Sequence, residues 1–324
     1  MSSSPLFSLD ELRAAERVVR KAFPATPALV WPLLSQRLGA EVVVKHENHL
    51  PTGAFKVRGG LTYFDWLMRS VSPPRGIIAA TRGNHGQSLA YATSRAGVGA
   101  TIIVPHGNST EKNAAMRALG AELVEYGADF QEALEQARRL AVTRGLHLVP
   151  AFDRELVKGV ATYGLELFEA RPDLDVLYVP IGLGSGICGC IAARDALGLK
   201  TEIVGVQATG APSYALSLKA GHVVSTNAAD TRADGLATRT PDDEAFNVIR
   251  GGASRITLVD DSEIAQAVRR LWTDTHNLTE GAGAAALAAA TQERVHNLGK
   301  RVGLVLSGGN IDLAVFRDWI LAAA

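Results

Sequence analysis

The 324-residue sequence has little cysteine, no excess of either charge and no long apolar run, and each shortage excludes a class of protein. Its two cysteines, Cys188 and Cys190, are too few for a disulfide framework or a zinc ribbon and fit a reducing compartment. Lys plus Arg and Asp plus Glu both number 33, which argues against a nucleic-acid binder. No stretch approaches the roughly 18 apolar residues of a membrane span, and residues 1–21 lack a signal-peptide pattern. We therefore expect a cytoplasmic protein that binds neither nucleic acid nor membrane.

Short β-branched runs alternate with helical patterns along most of the chain. Hydrophobic residues make up 47% of the sequence and charged residues 20%, as in a compact enzyme. Continuous apolar strands separated by helices predict parallel sheets buried on both faces, so the expected fold class is α/β. Residues 76–148 hold enough strand–helix units for a small domain, and residues 1–75 plus 149–324 are predicted to form a large one. The Ala-rich run Gly283–Ala290 predicts a tightly packed core helix.

The first candidate segment, KHENHLPTGAFKVRGG at residues 45–60, places Lys56 at the start of a predicted helix. Cations are unfavourable at a helix N-terminus, so this position lowers the pKa of the amine and suits a lysine that forms a Schiff base. The alternative is that Lys56 and Arg58 are ordinary solvated cations on the surface.

The second segment, TRGNHGQ at residues 81–87, lies between a predicted strand and a predicted helix. A glycine-containing turn into a helix N-terminus presents free N–H groups to an anion such as a carboxylate. Asn84 is also a candidate N-cap for that helix, and the two roles are compatible. For His85, a packed position is favoured over metal binding.

The third segment, PIGLGSGICG at residues 180–189, follows another predicted strand. Its glycines allow the backbone to approach a phosphate, and the helix that follows adds its dipole. The spacing Gly184-x-Gly186-x-x-Gly189 also matches a dinucleotide fingerprint, which requires an acidic residue about 20 positions later. The end of the next strand offers Gln207 instead, so a single phosphate is favoured over a dinucleotide.

Two later segments, TEGAGAA at residues 279–285 and LSGGNID at residues 306–312, contain turns that are compatible with a site. Ser307 follows a strong strand and is able to present its hydroxyl to a ring nitrogen. His46 and His49 have a metal-like spacing, but no third ligand is evident, so we predict no metal site.

In this order, the P-T-G-x-F-K-x-R-G, G-N-H-G-Q, glycine-rich and S-G-G-N segments resemble the serine/threonine dehydratase family of fold type II pyridoxal-phosphate enzymes. Members that act on phenylserine look the most similar. The resemblance runs from about Phe23 to Trp319. It implies two parallel-sheet α/β domains, pyridoxal 5'-phosphate in the cleft between them, and a homodimer.

The resemblance also implies roles for individual residues. Lys56 forms the Schiff base with the cofactor and acts on the substrate Cα proton, the glycine loop holds the phosphate, and Ser307 meets the pyridine nitrogen. The implied cofactor contacts are Phe55, Lys56, Asn84, Gly182, Gly184, Ser185, Gly186, Ile187 and Ser307. The implied substrate contacts are Thr81, Arg82, Gly83 and His85.

The implied reaction is a β-elimination that converts a β-hydroxy-α-amino acid into a 2-oxo acid and ammonia. A hydroxyl such as that of Ser307 cannot keep the pyridine nitrogen protonated as a carboxylate would, which favours departure of a β-substituent. The expected substrate is L-threo-3-phenylserine or a similar compound, or threonine or serine. The alternatives are a dehydratase for 3-hydroxyaspartate or for hydroxyectoine breakdown, an NAD-dependent oxidoreductase, and a non-catalytic amino-acid sensor.

Two departures from the family pattern refine these expectations. Arg82 stands where racemases have a serine, and its permanent charge predicts negligible racemisation. If Arg82 points inward, it favours a substrate with a second carboxylate; if it faces solvent, an apolar substrate pocket is preferred. Gln207 and Ser213 stand where the family tends to have carboxylates, so a divalent cation is not expected there.

Overall fold

In a computed structural model that describes residues 5–322, the chain folds into two β-sheets with helices packed on both faces of each. Residues 1–4 and 323–324, at the ends of the predicted large domain, lie outside the described residues. The strands are β1 Ala28–Val30, β2 Glu41–His46, β3 Gly76–Ala80, β4 Gly99–Val104, β5 Glu122–Glu125, β6 His147–Leu148, β7 Val176–Pro180, β8 Glu202–Ala208, β9 Arg255–Val259 and β10 Arg301–Leu306.

The larger sheet has six strands in the order β1-β2-β10-β7-β8-β9. Only β1 is antiparallel to its neighbour, and the other pairs are parallel. Val302 of β10 pairs with Val42 of β2 on one side and with Val176 of β7 on the other. Because β2, β10 and β7 are adjacent and parallel, the loops that follow them leave the same edge of the sheet, where ligands bind in open α/β sheets.

The smaller sheet has four parallel strands in the order β5-β4-β3-β6. All four lie within residues 76–148, but the boundaries of the two predicted domains stay a prediction. The helix Lys56–Met68, which precedes this segment, packs against the helix Asn84–Ser94 within it, and the Ser88 hydroxyl donates to the Lys56 carbonyl at 2.6 Å.

Several helices begin and end at the signals that the sequence provides. Ser8 and Glu11 form a capping box at the start of α1, and Gly145 ends α6 in the left-handed conformation with φ 62°. The helices are α1 Leu9–Arg20, α2 Pro32–Leu38, α3 Lys56–Met68, α4 Asn84–Ser94, α5 Thr110–Ala118, α6 Phe130–Arg144, α7 Arg154–Ala170, α8 Ser185–Ala196, α9 Ser213–Ala220, α10 Asp243–Gly252, α11 Asp261–Thr275, α12 Gly281–Gln292, α13 Arg294–Asn297 and α14 Leu313–Val315. Short 3₁₀ turns cover Glu47–His49 and Asp234–Leu236, and a π-helical turn covers Phe316–Leu321.

The larger sheet has a separate apolar core on each of its faces. The Ala-rich helix α12 packs with α11 against one face, and α7 and α8 pack against the other. Residues 282–290 are all buried, which confirms the predicted core helix. Within residues 5–322, no helix is long and apolar enough to cross a membrane.

Candidate active site

The loops after β2 and β10 pair with each other, and this pairing places Lys56 next to Ser307. Phe55 N–H donates to the Ser307 carbonyl at 3.1 Å, and Gly309 N–H donates to the Gly53 carbonyl at 2.8 Å. Lys56 is the first residue of α3. Two predicted site residues that are 251 positions apart in the chain (307 − 56) are thereby brought together.

The glycine-rich turn after β7 leads into the N-terminus of α8. Gly184 has φ +110°, and a Cβ there would lie 2.8 Å from the Ala245 Cβ and 2.9 Å from the Tyr214 hydroxyl, so glycine is required. A Cβ on Gly182 would lie 2.3 Å from the Gly235 carbonyl oxygen. The first backbone N–H groups of a helix have no intrahelical partner, and α8 makes no side-chain cap. This turn can therefore hold an anion.

Most of the predicted cofactor residues line one cavity of about 50 Å³, which we call the inner cavity. Lys56, Asn84, Ser307 and the turn into α8 all line it. Ile187 is the exception, because its side chain is fully buried in the core between α7 and α8 and only its backbone N–H belongs to the turn. The lining residues are Phe55, Lys56, Asn84, Pro180, Gly182, Leu183, Gly184, Ser185, Gly186, Gly235, Leu236, Glu280, Ala282 and Ser307.

The surroundings of the inner cavity shift the Lys56 amine toward its neutral form. Burial lowers the pKa of Lys56 from 10.5 to about 8, and the nearby Glu280 carboxylate only partly opposes this shift. The Lys56 Nζ lies 5.2 Å from the centre of the Phe55 ring. An amine whose pKa lies near neutrality is able to act as a nucleophile and as a base. The surface alternative for Lys56 is therefore wrong.

Arg58, one helical position beyond Val57, is also not a surface cation. Its side chain is 0% exposed and donates to Glu47 and Glu166 at 2.7–3.0 Å and to Thr162 at 3.1 Å. Lys45, also buried, donates to Glu166 at 2.6 Å. We call Arg58, Lys45, Glu47, Glu166 and Thr162 the buried ion cluster. Because Arg58 belongs to α3, these contacts anchor the helix that also carries Lys56.

Asn84 is the first residue of α4, and Gly83 precedes it at the N-cap position, so Asn84 does not cap the helix as one alternative expected. Its side-chain Nδ2 donates to Glu280 Oε1 at 2.9 Å, and its Oδ1 accepts from Asn310 Nδ2 at 2.8 Å. The sequence identified the segments that carry Glu280 and Asn310 but not these two residues. The feature of the sequence that could have identified Glu280 and Asn310 is that each stands directly beside a glycine.

None of the four predicted substrate contacts, Thr81, Arg82, Gly83 and His85, lines the inner cavity. Thr81 is buried, and its hydroxyl accepts from Gly83 N–H at 3.1 Å, which fixes the turn. His85 is also buried, and burial followed by the charge of Lys56 lowers its pKa to about 3. His85 is therefore a neutral side chain. Arg82 is 56% exposed and approaches Asp234 at 3.8 Å.

Arg82 lines a second, larger cavity of about 250 Å³, which we call the outer cavity. Asp234 lies between Arg82 and Lys112, whose Nζ approaches it at 3.3 Å. Burial works to lower the pKa of Lys112, but the carboxylates of Glu280 and Asp234 outweigh it and raise the pKa. Gly235 and Glu280 line both cavities, so the two are neighbours. Lys112 and Asp234 stand in segments that carry no motif, so their sequence context gives no signal of a site.

The donor set of the inner cavity fits pyridoxal phosphate. It combines an amine of lowered pKa, a glycine turn at a helix N-terminus and a buried serine hydroxyl at a strand end. A dinucleotide is less suitable, because Gln207 at the end of β8 uses its Oε1 to accept from Ala215 N–H at 2.9 Å and carries no charge for a ribose.

The two histidines with metal-like spacing pack against other side chains. The rings of His46 and His49 stack at 4.9 Å, and His46 Nε2 accepts from the Trp31 indole at 3.0 Å. The described part of the chain, residues 5–322, contains no group of three or more His, Cys, Asp or Glu side chains placed for a metal ion. The buried cysteines Cys188 and Cys190 are free.

Comparisons with known proteins agree with this donor set. Residues 19–308 match the family described as pyridoxal-phosphate dependent enzyme. The chain is 34% identical to an L-threonine ammonia-lyase of Thermotoga maritima over 309 residues, which is 95% of this chain and 77% of that protein. It is 32% identical to an L-threo-3-hydroxyaspartate ammonia-lyase of Saccharomyces cerevisiae over 305 residues, covering 94% and 93%. The structure of maize serine racemase superimposes with a TM-score of 0.90 at 26% identity, covering 97% of both chains.

Proposed function

The chain belongs to the family of pyridoxal-phosphate dependent enzymes, and from this premise we propose that it is an ammonia-lyase acting on β-hydroxy-α-amino acids. The match confirms the expected fold type II architecture and the resemblance to serine/threonine dehydratases. The relatives of Thermotoga maritima and Saccharomyces cerevisiae are both named ammonia-lyases, which supports a carbon–nitrogen lyase. The proposed products are a 2-oxo acid and ammonia.

Lys56 is the proposed catalytic residue. When bound, pyridoxal phosphate supplies the electron sink that stabilises negative charge at the substrate Cα. Burial lowers the pKa of Lys56 to about 8, so a larger fraction of its amine is unprotonated near neutral pH than in a solvated lysine, which suits a base for the Cα proton. The backbone N–H groups of Ser185, Gly186 and Ile187 at the start of α8 would hold the phosphate.

Ser307 is proposed to favour elimination over racemisation. Its side chain is 4% exposed and lies at the end of β10, facing the cavity that Lys56 lines. A neutral hydroxyl donates to the pyridine nitrogen without leaving a full positive charge on the ring, so charge at Cα is relieved by loss of the β-hydroxyl. Arg82 carries a permanent charge and is a poor acid for returning a proton to Cα. This property also favours elimination over racemisation.

The single observation that carries this proposal is the meeting of Lys56, Ser307 and the turn at residues 182–186 around one cavity. We propose to test it with purified protein, pyridoxal phosphate and a panel of L-threonine, L-serine, L-threo-3-hydroxyaspartate and L-threo-3-phenylserine, measuring 2-oxo acid and ammonia. Release of both from at least one compound supports the proposal. Binding of these amino acids without product would instead identify a sensor, and NAD-dependent oxidation would identify an oxidoreductase.

The outer cavity favours a second candidate, an ammonia-lyase for a substrate with a second carboxylate. Arg82 is 56% exposed and so is not turned fully inward, but it lines this cavity together with Lys112, and the two cations share Asp234 as their partner. A substrate carboxylate is able to pair with the same cations. With R82A, we expect the ratio of kcat/KM for 3-hydroxyaspartate over threonine to fall at least tenfold. An unchanged ratio would exclude this candidate, and activity on phenylserine alone would restore the substrate that the sequence suggested first. The homodimer and the site roles also stay predictions.

A further inference from the structure

A continuous chain of hydrogen bonds joins four of the sequence segments that surround the inner cavity. The Asn310 Nδ2 donates to the Thr52 carbonyl and to Asn84 Oδ1, both at 2.8 Å, and Asn84 Nδ2 donates to Glu280 Oε1 at 2.9 Å. We call Thr52, Asn310, Asn84 and Glu280 the amide relay. Its members come from the loops after β2 and β10, the start of α4 and the residue before α12.

The Thr52 carbonyl determines the orientation of both asparagine amide groups in the amide relay. A backbone carbonyl only accepts hydrogen bonds, so Thr52 requires the NH₂ group of Asn310. The second hydrogen of that group then requires the carbonyl oxygen of Asn84, and the NH₂ group of Asn84 must face Glu280. One N–H of Asn84 remains, and Asn84 lines the inner cavity. The relay therefore leaves Asn84 with a donor for a ligand there.

Glu280 is positioned for this relay instead of for its own helix. It occupies the N-cap position of α12, but its side chain makes no capping hydrogen bond. Asp, Asn, Ser or Thr at that position ordinarily binds the free N–H groups of the helix. The Glu280 side chain instead lines both the inner and the outer cavity, and within residues 5–322 the hydrogen-bond partner of its carboxylate is Asn84.

Gly53 makes room for the other end of the relay. Its φ is +66°, and a Cβ at this position would lie 2.5 Å from Asn310 Oδ1. The Pro-Thr-Gly turn before Lys56 is therefore shaped around the Asn310 side chain as well as around the chain reversal. Thr52 itself is buried, so its carbonyl has little access to water as an alternative partner.

We propose that Asn310 and Glu280 are positioning residues that act through Asn84, orienting its amide so that it presents a donor to the oxygen of bound pyridoxal phosphate. This inference rests on the proposed function. A ring oxygen that carries negative charge accepts a hydrogen bond, and a flipped Asn84 would present its own oxygen to it and repel it. The relay thus determines the charge and the spectrum of the bound cofactor.

The test compares the full-length wild type with N84A, N310A and the double variant N84A/N310A. The measurements are the dissociation constant of pyridoxal phosphate and the position and pH dependence of the visible absorbance band of the bound cofactor. Loss of one hydrogen bond predicts binding that is about three- to tenfold weaker in each single variant. If Asn310 acts through Asn84, the double variant binds no more than about twofold weaker than N84A. Multiplication of the two single effects would overturn the proposal.

Two variants of Glu280 provide a second test, which stands if N310A fails to fold. E280Q keeps a carbonyl oxygen that accepts from Asn84, so we expect the absorbance band and the cofactor affinity to stay within about twofold of wild type. E280L removes the acceptor, and we expect a shifted band and cofactor affinity about three- to tenfold weaker than that of wild type. Equal behaviour of E280Q and E280L would contradict the relay.

A matched control separates the relay from general effects of asparagine loss. Asn247 is exposed on α10, and N247A should leave the band and the affinity unchanged. If wild type forms no visible band with pyridoxal phosphate, the proposed function itself fails. If wild type forms the band and N310A and E280L match it in band and affinity, only the relay fails.

Discussion

Two cations stand two positions apart on α3, and their surroundings are opposite. Arg58 is enclosed by the buried ion cluster, with hydrogen bonds to Glu47, Glu166 and Thr162. Lys56 faces the inner cavity, and among the described residues its Nζ has no hydrogen-bond partner and no ion pair within 4.0 Å. Burial with partners holds the fold together, whereas desolvation without partners leaves an amine available for chemistry.

The pKa shifts of the two residues follow from this difference. Around Arg58, burial alone would lower the pKa, but the carboxylates of Glu47 and Glu166 outweigh it and raise the pKa well above its usual value. Around Lys56, the Glu280 carboxylate opposes burial but does not outweigh it, and the pKa falls to about 8. We expect substitutions at the two positions to separate stability from activity.

The largest expected effect is on activity, at Lys56. Because the amine is the proposed base and cofactor attachment point, K56A should lower kcat for the best substrate by about 10³-fold or more. The variant should also lose the visible band of the bound cofactor while keeping its far-UV circular dichroism. Kinetics and absorbance on the same preparation provide the check. Activity above a tenth of wild type would remove Lys56 from the mechanism.

The second effect is on stability, at Arg58. R58M removes the guanidinium with a side chain of similar length. It leaves Glu47 buried without its cation, while Glu166 keeps Lys45, which predicts a loss of about 3–5 kcal/mol in the free energy of unfolding. Urea denaturation measures this value. The matched variant R17M, at an exposed position of α1, should change it by less than about 0.5 kcal/mol. Equal effects of the two variants would mean that the buried ion cluster does not hold the fold.

The third effect is a pH dependence of the cofactor-free protein. The pKa of Lys56 is about 8 in the folded state and near 10.5 when unfolded, so between these values the unfolded chain carries a proton that the folded chain has lost. Stability of wild type relative to K56A should therefore rise from about pH 8 to 10.5. Below pH 8, K56A should be the more stable, by at most about 3 kcal/mol. Parallel pH profiles in thermal unfolding would contradict the lowered pKa.

The smallest effect is expected at an exposed ion pair, which sharpens the contrast with Arg58. Arg144 and Glu122 lie 2.8 Å apart, with side chains 43% and 52% exposed. Solvent screens such a pair, so R144A should cost less than about 1 kcal/mol in the free energy of unfolding. High salt should reduce even this cost, as denaturation at two ionic strengths would reveal. If R144A lost as much free energy of unfolding as R58M, burial would not explain the difference between the two ion pairs.

Much of the fold could be predicted, because it depends on local patterns. The apolar runs that became β7 and β10, the cap of α6 at Gly145 and the Ala-rich helix α12 follow from periodicity and from helix-end chemistry. The order of the strands in the larger sheet could not be derived this way. The pairing of β10 between β2 and β7 joins segments that are far apart in the chain.

The candidate site could be predicted in part, for the same reason. Lys56, Asn84 and Ser307 stand in segments with glycine-rich spacing, which the sequence displays. Glu280 stands in a similar segment, but its role depends on a partner 196 residues away. Lys112 appears as an ordinary helical lysine, and its pKa is raised by the remote carboxylates of Glu280, Asp234 and Asp312.

The sequence by itself determined the chemistry that is available: an amine at the start of a helix, glycine turns able to hold a phosphate, and a serine at the end of a strand. Those properties belong to short segments, whose conformations are set by local steric and capping preferences. The tertiary structure alone decided which charges meet. It enclosed Arg58 with carboxylates, left Lys56 facing a cavity and joined Asn310, Asn84 and Glu280, because distances between remote segments depend on how the sheets and helices pack.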